Sequence, residues 1–231
     1  MLKKVMLLML VGLLFVHGIY AKTGGVAKSL PTPAPCPTGL TWDGKFLWLA
    51  DRKTDTIYKI DPTDGSVKST LSSPGFWPMG LTWDGKYLWN ADSEEKIFQM
   101  DPNTGLVLKT IDSPTSRPQG LAWDGQYLWV ADDRADKISQ ISTEDGTTIK
   151  DFPSPASNPQ GLAFDGQYLW ISDRISNEIY MVSPEGGRVI VTFPAPGPYA
   201  WGLAWDGKYL WNADYQDDKI YKIKIADAEF F

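Results

Sequence analysis

Short apolar segments separated by Gly, Pro and Asp recur along this chain at a regular interval. One phrase occurs five times, as GLTWDGKFLWLAD, GLTWDGKYLWNAD, GLAWDGQYLWVAD, GLAFDGQYLWISD and GLAWDGKYLWNAD, starting at Gly39, Gly80, Gly120, Gly161 and Gly202. The steps between these glycines are 41, 40, 41 and 41 residues. A period near 40, with β-branched and aromatic residues between turns, is typical of a β-propeller blade, and the Asp-Gly and Pro in each unit exclude helical repeats.

Each unit predicts four antiparallel strands. The first is the GLTW or GLAW segment, and the second is the KYLWNA-like segment that ends in aspartate. The Asp-Gly pair between them tolerates positive φ at both residues, which predicts a two-residue type I′ hairpin. A third strand such as KIFQM, an Asp-Pro turn and a fourth strand such as LVLKTI complete the unit.

The fifth unit has no fourth strand, and the opposite end of the chain supplies a match for it. Gly24 precedes Gly39 by 15 residues, as Gly65 precedes Gly80, and the segments that follow are similar. Residues 24–30 are therefore predicted to be the outer strand of the last blade. The resulting fold class is all-β: a five-bladed β-propeller of four-stranded antiparallel blades, with the ring closed by the N-terminal strand.

Two sets of aromatic residues recur once in every unit. One set occupies the second strand and the other the end of the first strand: Trp48, Trp89, Trp129, Trp170 and Trp211, and Trp42, Trp83, Trp123, Phe164 and Trp205. Because they recur in every blade, we interpret them as core packing rather than as platforms for sugars. The repeated glycine is expected to permit close approach of backbones near the axis, and the aspartate that ends each second strand is expected to cap a turn.

The N-terminal residues predict an export signal. Lys3 and Lys4 precede an uncharged apolar run that ends near Ala21, which predicts a signal peptide over 1–21 and a single propeller domain over 22–231. The run is too short to span a bilayer. We therefore expect a protein that is periplasmic or secreted, with no membrane insertion after cleavage.

Charge and residue usage exclude several functions. Loss of two lysines takes the net charge from -6 to -8, which disfavours nucleic acid as a partner. The only histidine is His17, within the signal, and the only cysteine is Cys36. Catalytic Ser-His-Asp or Cys-His sites and His-ligated metal centres are thereby excluded from the mature chain.

Function is expected where the units differ. The Asp-Gly hairpins are nearly constant, whereas the loops on the opposite face vary, so that face is the predicted binding surface. Two variable positions surround its centre: the residue after each second-strand aspartate, and the residue before each repeated glycine. The candidate ligand-binding residues on this rim are Arg52, Trp77, Ser93, Gln119, Asp133, Gln160, Arg174, Trp201 and Tyr215.

Each class of rim residue has a structural alternative. The spare aromatic residues Trp77 and Trp201 could stack on a ligand or cover blade ends. Arg52, Arg174 and Asp133 could hold a charged ligand, or this set could form surface ion pairs in which Asp55, Asp136 and Glu178 are the nearby acids. Carboxylates in the same loops could ligate Ca²⁺, but they lack the spacing of an EF-hand, and we expect no cofactor.

The units, PxGLAWDGxYLWxAD followed by KIYKID, resemble the NHL and SMP-30/gluconolactonase-like propeller repeats over residues 24–224. Such propellers act as binding platforms, lactonases, lyases and cyclotransferases. The PQGLA segments at Gln119 and Gln160 also resemble turns of the five-bladed glutaminyl-peptide cyclotransferases, which implies an acidic residue in the channel mouth. Asp133 is the rim acid that we would expect in such a role.

These observations favour an exported binding or scaffold propeller without enzymatic activity. A protein, a peptide or a glycan is the expected ligand, and we expect a monomer. The alternative is a carboxylate- or metal-dependent enzyme, either cyclotransferase-like or lactonase-like. A carboxylate in the channel mouth, shielded from solvent and with a raised pKa, would favour the enzyme, and a mouth lined by amides and aromatic rings would favour binding.

Overall fold

Five antiparallel sheets of four strands surround a central axis in this computed structural model, which describes residues 23–225. This arrangement confirms the predicted five-bladed β-propeller. The predicted signal peptide lies outside the described residues. No helix within residues 23–225 has the length and apolar character needed to cross a bilayer.

The strands follow the repeated units in chain order. Blade 1 contains β2 (Pro37–Trp42), β3 (Leu47–Asp51), β4 (Thr56–Ile60) and β5 (Val67–Ser72). Blade 2 contains β6 (Leu81–Trp83), β7 (Leu88–Ala91), β8 (Lys96–Met100) and β9 (Val107–Asp112). Blade 3 contains β10 (Pro118–Trp123), β11 (Leu128–Asp132), β12 (Lys137–Ile141) and β13 (Thr148–Pro153). Blade 4 contains β14 (Pro159–Phe164), β15 (Leu169–Asp173), β16 (Glu178–Val182) and β17 (Val189–Pro194).

Blade 5 closes the ring with strands from both ends of the chain. It contains β18 (Ala200–Trp205), β19 (Tyr209–Asp214), β20 (Lys219–Lys224) and β1 (Val26–Pro31). Strand β1 pairs antiparallel with β20, with Leu30 opposite Ile220. The predicted closure is confirmed, with the strand placed slightly later than residues 24–30.

The second-strand tryptophans form the centre of each blade interface. Trp48 is fully buried, as are its four counterparts. Its indole Nε1 donates to Asp43 Oδ2 at 2.8 Å, and the other four blades repeat this hydrogen bond. The buried ring therefore has a partner for its polar atom, and the prediction of core packing is confirmed for this set.

The Asp-Gly hairpins differ from the predicted type I′ turn. Gly44 has φ of 95°, whereas neither Asp43 nor Lys45 has positive φ. Asp43 N donates to Phe46 O at 3.1 Å across the hairpin, and the single positive φ excludes a type I′ turn, which requires two. The aspartate side chain explains the difference, because Asp43 Oδ1 accepts from the backbone of Lys45 and Phe46.

The aspartate that ends each second strand caps the next turn, as predicted. Asp51 Oδ1, for example, accepts from the backbone N–H groups of Lys53 at 3.0 Å and Thr54 at 2.9 Å. These carboxylates are buried and orient the loops of the variable face. Their role is therefore to hold that face in position.

Candidate functional site

The repeated glycines close the axis of the ring. A β-carbon added at any of them would collide with backbone of the next blade, including Met79 O at 2.6 Å from the position built on Gly39. The neck lined by these glycines leaves no room for a water molecule. The axis therefore has two separate mouths, and a ligand at one cannot pass to the other.

We name the mouth on the variable face the variable mouth. Its inner ring consists of the residues before the repeated glycines, and its outer ring consists of those after the second-strand aspartates. The inner ring is Thr38, Met79, Gln119, Gln160 and Trp201, and the outer ring is Arg52, Ser93, Asp133, Arg174 and Tyr215. All five inner residues are buried, whereas the outer residues are half-buried or, at Ser93, exposed.

One side of the variable mouth is a cluster of aromatic rings and arginine. The ring centroids of Trp201 and Tyr215 are 5.1 Å apart, and Tyr199 lies 5.8 Å from Tyr215. Arg52 Nη2 donates to Tyr215 OH at 2.8 Å, and its guanidinium carbon lies 5.5 Å from the Trp201 ring centroid. Arg174 lies 5.3 Å above Tyr199. Both arginines therefore extend the aromatic surface as well as carrying charge.

Cys36 belongs to the edge of this cluster. A hydrogen bond with Cys36 and burial raise the pKa of the Tyr215 hydroxyl, whereas Arg52 lowers it. The net shift is upward, so the phenol stays neutral at ordinary pH. Tyr215 is thus available as a neutral hydrogen-bonding group.

The opposite side of the variable mouth carries Asp133. Its side chain is 7% exposed, and its Oδ1 lies 3.2 Å from Arg117 Nε. Gln160 Nε2 lies 3.4 Å from Asp133 Oδ2 and donates to Asn158 Oδ1 at 2.8 Å. Burial raises the pKa of Asp133, opposed by Arg117 and by the hydrogen bond from Gln160. The mouth therefore contains both a shielded acid and a set of amides.

Three buried polar atoms of the inner ring have no hydrogen-bond partner among residues 23–225. They are Gln119 Oε1, Gln160 Oε1 and Trp201 Nε1. Buried polar groups are nearly always paired, because leaving one unpaired costs about 1–3 kcal/mol. Two acceptors and one donor around one mouth are therefore suited to a polar ligand.

The structure brings together most predicted rim residues but changes their contacts. The proposed ion pairs with Asp55, Asp136 and Glu178 do not occur in the described part of the chain. Arg52 instead contacts Tyr215, and Asp133 faces Arg117. Arg52 thus pairs with a residue of the neighbouring blade, and Asp133 with a residue from another loop of its own blade.

A third ring was not identified from the sequence as a set. It contains the residues three positions before the repeated glycines: Cys36, Trp77, Arg117, Asn158 and Tyr199. Arg117 contacts Asp133, and Asn158 accepts a hydrogen bond from Gln160. Tyr199 belongs to the aromatic cluster. Comparing the same offset in every unit would have found them.

The structure shows no preassembled metal centre in residues 23–225, where no three His, Cys, Asp or Glu side chains converge. The aspartates that end the second strands accept backbone hydrogen bonds, as Asp92 Oδ1 does from Glu94 N at 2.9 Å. The expectation that the protein has no cofactor stays a prediction from the sequence.

The mouth on the Asp-Gly side is a separate cavity of about 170 Å³. It is lined by Thr41, Thr82 and the second aromatic set, which is half-buried rather than fully in the core. Trp205 still stacks on Trp170 of the neighbouring blade, with centroids 6.5 Å apart. The prediction of core packing therefore holds for one side of these rings, while the other side faces the cavity.

The raised pKa of Asp133 predicts a pH effect on stability. When the pKa of an acid is higher in the folded than in the unfolded protein, the free energy of unfolding falls as pH rises from the unfolded-state pKa to the folded-state pKa. We expect the wild type to lose stability relative to Asp133→Asn as pH rises above the ordinary value of 3.8, and the difference to level off above the folded pKa. Urea unfolding over a pH series measures this, and a difference that stays constant or grows in favour of the wild type would contradict it.

Comparisons with known proteins show the fold. No protein-family profile matches the chain, and no curated protein is significantly similar to it in sequence. A glutaminyl cyclase from Myxococcus xanthus superposes with a TM-score of 0.76 at 12% identity, covering 87% of this chain and 95% of that one. A catalytically inactive virginiamycin B lyase from Staphylococcus aureus with quinupristin gives 0.55 at 19% identity, covering 84% and 82%. The WD40 propeller domain of Doa1 gives 0.56 at 11% identity, covering 82% and 64%.

Proposed function

We propose that this protein is an exported receptor that binds the amino-terminal end of a peptide in the variable mouth, with an amide side chain as the preferred first group. The observation that carries the proposal is the set of three unpartnered atoms, Gln119 Oε1, Gln160 Oε1 and Trp201 Nε1. An amide supplies N–H donors for the two glutamine oxygens and a carbonyl acceptor for the indole.

One charged group and one aromatic surface of the variable mouth suit the same ligand. A peptide amino terminus is a cation, and Asp133 is a carboxylate shielded from solvent. The aromatic rings of Trp201 and Tyr215 supply a surface for the apolar part of the ligand. The closed neck favours a chain end over a segment that would have to thread the axis.

A peptide fits this mouth better than a glycan. Sugar hydroxyls both donate and accept, whereas the unpartnered atoms of the inner ring are two amide acceptors and one indole donor, which an amide group complements. An ammonium group and an amide nitrogen are donors and would satisfy these acceptors.

The NHL- and SMP-30-like assignment of the repeat, the export and the monomeric state stay predictions from the sequence.

The second candidate is glutaminyl cyclotransfer, favoured by the buried position and raised pKa of Asp133. In this reaction the α-amino nitrogen attacks the side-chain amide carbon, a C–N bond forms to the ring, and the bond to the amide nitrogen breaks to release ammonia. Asp133 would accept the proton from the attacking amine and deliver it to the leaving nitrogen. The fold similarity to a glutaminyl cyclase is compatible with this role.

Calorimetric titration of residues 22–231 with the tripeptide Gln-Ala-Ala tests the binding proposal. We expect binding that weakens about tenfold in Gln160→Met, which removes the amide while keeping most of the side-chain volume. The matched control is Gln167→Met, because Gln167 is exposed on the opposite face. Equal binding by both variants, or no binding by the wild type, would contradict the proposal.

An ammonia assay on the same mixtures separates the two candidates. Release of ammonia by the wild type, with loss in Asp133→Asn, would establish the cyclotransferase. Binding without ammonia release would establish the receptor. Acetylation of the peptide amine abolishes turnover, because the attacking nitrogen is blocked, and it also removes the cation that we expect Asp133 to contact.

A further inference from the structure

In three blades the second-strand aspartate anchors the rim loop that precedes the repeated glycine of its own blade. Asp51 Oδ2 accepts from Cys36 N at 2.7 Å, Asp173 Oδ2 from Asn158 N at 2.6 Å, and Asp214 Oδ2 from Tyr199 N at 2.6 Å. Each donor lies three residues before its repeated glycine. The hydrogen bond is thus a recurring way of fixing the loop against the mouth.

Blade 2 breaks this pattern at Trp77, the residue at the same offset. Trp77 N donates instead to Asp55 Oδ1, at 2.9 Å. Asp92 Oδ2, the acceptor that the pattern would supply, is buried with no partner in the described range 23–225. Burial raises the pKa of Asp92, as expected for a carboxylate in this situation.

The backbone of Trp77 is in an unfavourable conformation. Its φ is 53°, in the left-handed region that bulky side chains seldom adopt. The other non-glycine residues with positive φ share one repeated turn before the third strand: Asp55, Glu95, Asp136, Asn177 and Asp218. Trp77 also precedes Pro78, and a residue before proline prefers extended backbone. Moving Trp77 to an extended conformation would relieve both conflicts.

The equivalent loop of blade 5 shows the alternative position. Its sequence PGPYAWG aligns with PGFWPMG without gaps, which places Tyr199 at the position of Trp77. A β-carbon at Gly75 would collide with Asp92, and one at Gly197 would collide with Asp214. The two loops therefore pass over equivalent carboxylates of their blades. In blade 5 the aromatic ring lies 6.3 Å from Trp201, within the mouth, whereas Trp77 is 60% exposed.

Smaller side chains occupy the blade 2 positions that correspond to the aromatic cluster of blade 5. The positions that Trp201 and Tyr215 fill in blade 5 are held by Met79 and Ser93 in blade 2. These smaller side chains leave the second blade without an aromatic wall. Phe76 O already accepts from Ser93 Oγ at 3.1 Å, which keeps the loop beside the site.

We propose that residues 74–78 form a clamp, in which Trp77 transfers its N–H from Asp55 to Asp92 and closes its indole ring over a ligand held in the variable mouth. The occupied mouth then has aromatic walls on both sides, from Trp77 and from Trp201. This inference rests on the proposed function for the identity of the ligand. The two positions of the loop belong to the chain itself and can be tested without a ligand.

The test uses residues 22–231 labelled with 5-fluorotryptophan, with the Trp77 resonance assigned through Trp77→Phe. Asp55→Gly removes the carboxylate that accepts from Trp77 N in the observed, open conformation of the clamp. Glycine suits the φ of 48° at that position. We expect Trp77 in this variant to become at least threefold less accessible to an added quencher. Asp136→Gly is the matched control, because Asp136 occupies the same turn in blade 3 with φ of 51°.

Addition of Gln-Ala-Ala to the wild type should protect Trp77 from the quencher to the same extent as Asp55→Gly does. Trp77→Ala should weaken binding of this peptide about tenfold while leaving the dependence on Gln160 intact. If the wild type does not bind the peptide, the proposed function fails, and the Asp55→Gly result alone decides on the clamp. Equal exposure of Trp77 in Asp55→Gly, Asp136→Gly and the wild type would overturn the clamp.

Discussion

A chain that begins at Cys36 rather than at Lys22 is expected to aggregate or to lose most of its stability. This truncation removes β1, which pairs with β20 over Lys219–Lys224 and buries Leu30 to 4% exposure. The fifth blade would then have three strands, and β20 would expose an unpaired edge that can pair with another chain. The loss combines apolar burial, strand hydrogen bonds and the connection that β1 makes between blade 5 and blade 1.

Size-exclusion chromatography with light scattering and a thermal melt measure this effect. The matched control is the chain that begins at Lys22, which retains the whole of β1. We expect the control to be monomeric with one cooperative transition and the truncated chain to elute as large species. A truncated chain that melts at the same temperature as the control would contradict closure of the ring by β1.

Substitution of Gly161 by alanine is expected to destabilise the protein by about 3 kcal/mol, with failure to fold as the extreme outcome. The added β-carbon would collide with Trp201 O and would lie 2.8 Å from Leu203 N and 2.9 Å from Ser172 Oγ. Backbone atoms of a neighbouring blade cannot rotate away as a flexible side chain can. Relief would require the blades to separate around the neck.

Gly25→Ala is the matched control for this substitution. A β-carbon at Gly25 would have no neighbour within 4 Å. We expect its free energy of unfolding in urea to stay within about 0.5 kcal/mol of the wild type. Equal stability of the two variants would show that the repeated glycines do not close the neck.

The fold could be predicted from the sequence because each unit repeats the same local signals. Turn residues, short apolar segments and period agreed in five copies, and the match between residues 24–30 and the later fourth strands indicated closure. The Asp-Gly turn type was wrong because the prediction considered only backbone tolerance. The side chain of Asp43 binds the turn and the Trp48 indole, and this selects positive φ at Gly44 alone.

The variable mouth was predictable as a location but not in its contacts. The positions of Gln160 and Trp201 follow from the repeat, since both precede a repeated glycine. The pairing of Asp133 with Arg117 depends on how two loops of one blade fold back together, and period and composition carry no such information. The conformation of Trp77 likewise depends on a hydrogen bond to Asp55, which lies 22 residues earlier in the chain.

The measurement that tests the central claim most directly is a titration of ¹⁵N-labelled residues 22–231 with Gln-Ala-Ala, observed through the indole N–H resonances. Trp201 Nε1 is the unpartnered donor in the variable mouth, and Trp201→Phe assigns its signal. The five second-strand indoles bond to hairpin aspartates and serve as internal controls. We predict that the Trp201 resonance shifts with saturation while these five do not move. No shift at Trp201, or shifts confined to Trp42, Trp83, Trp123 and Trp205 at the opposite mouth, would contradict a functional site on the variable face.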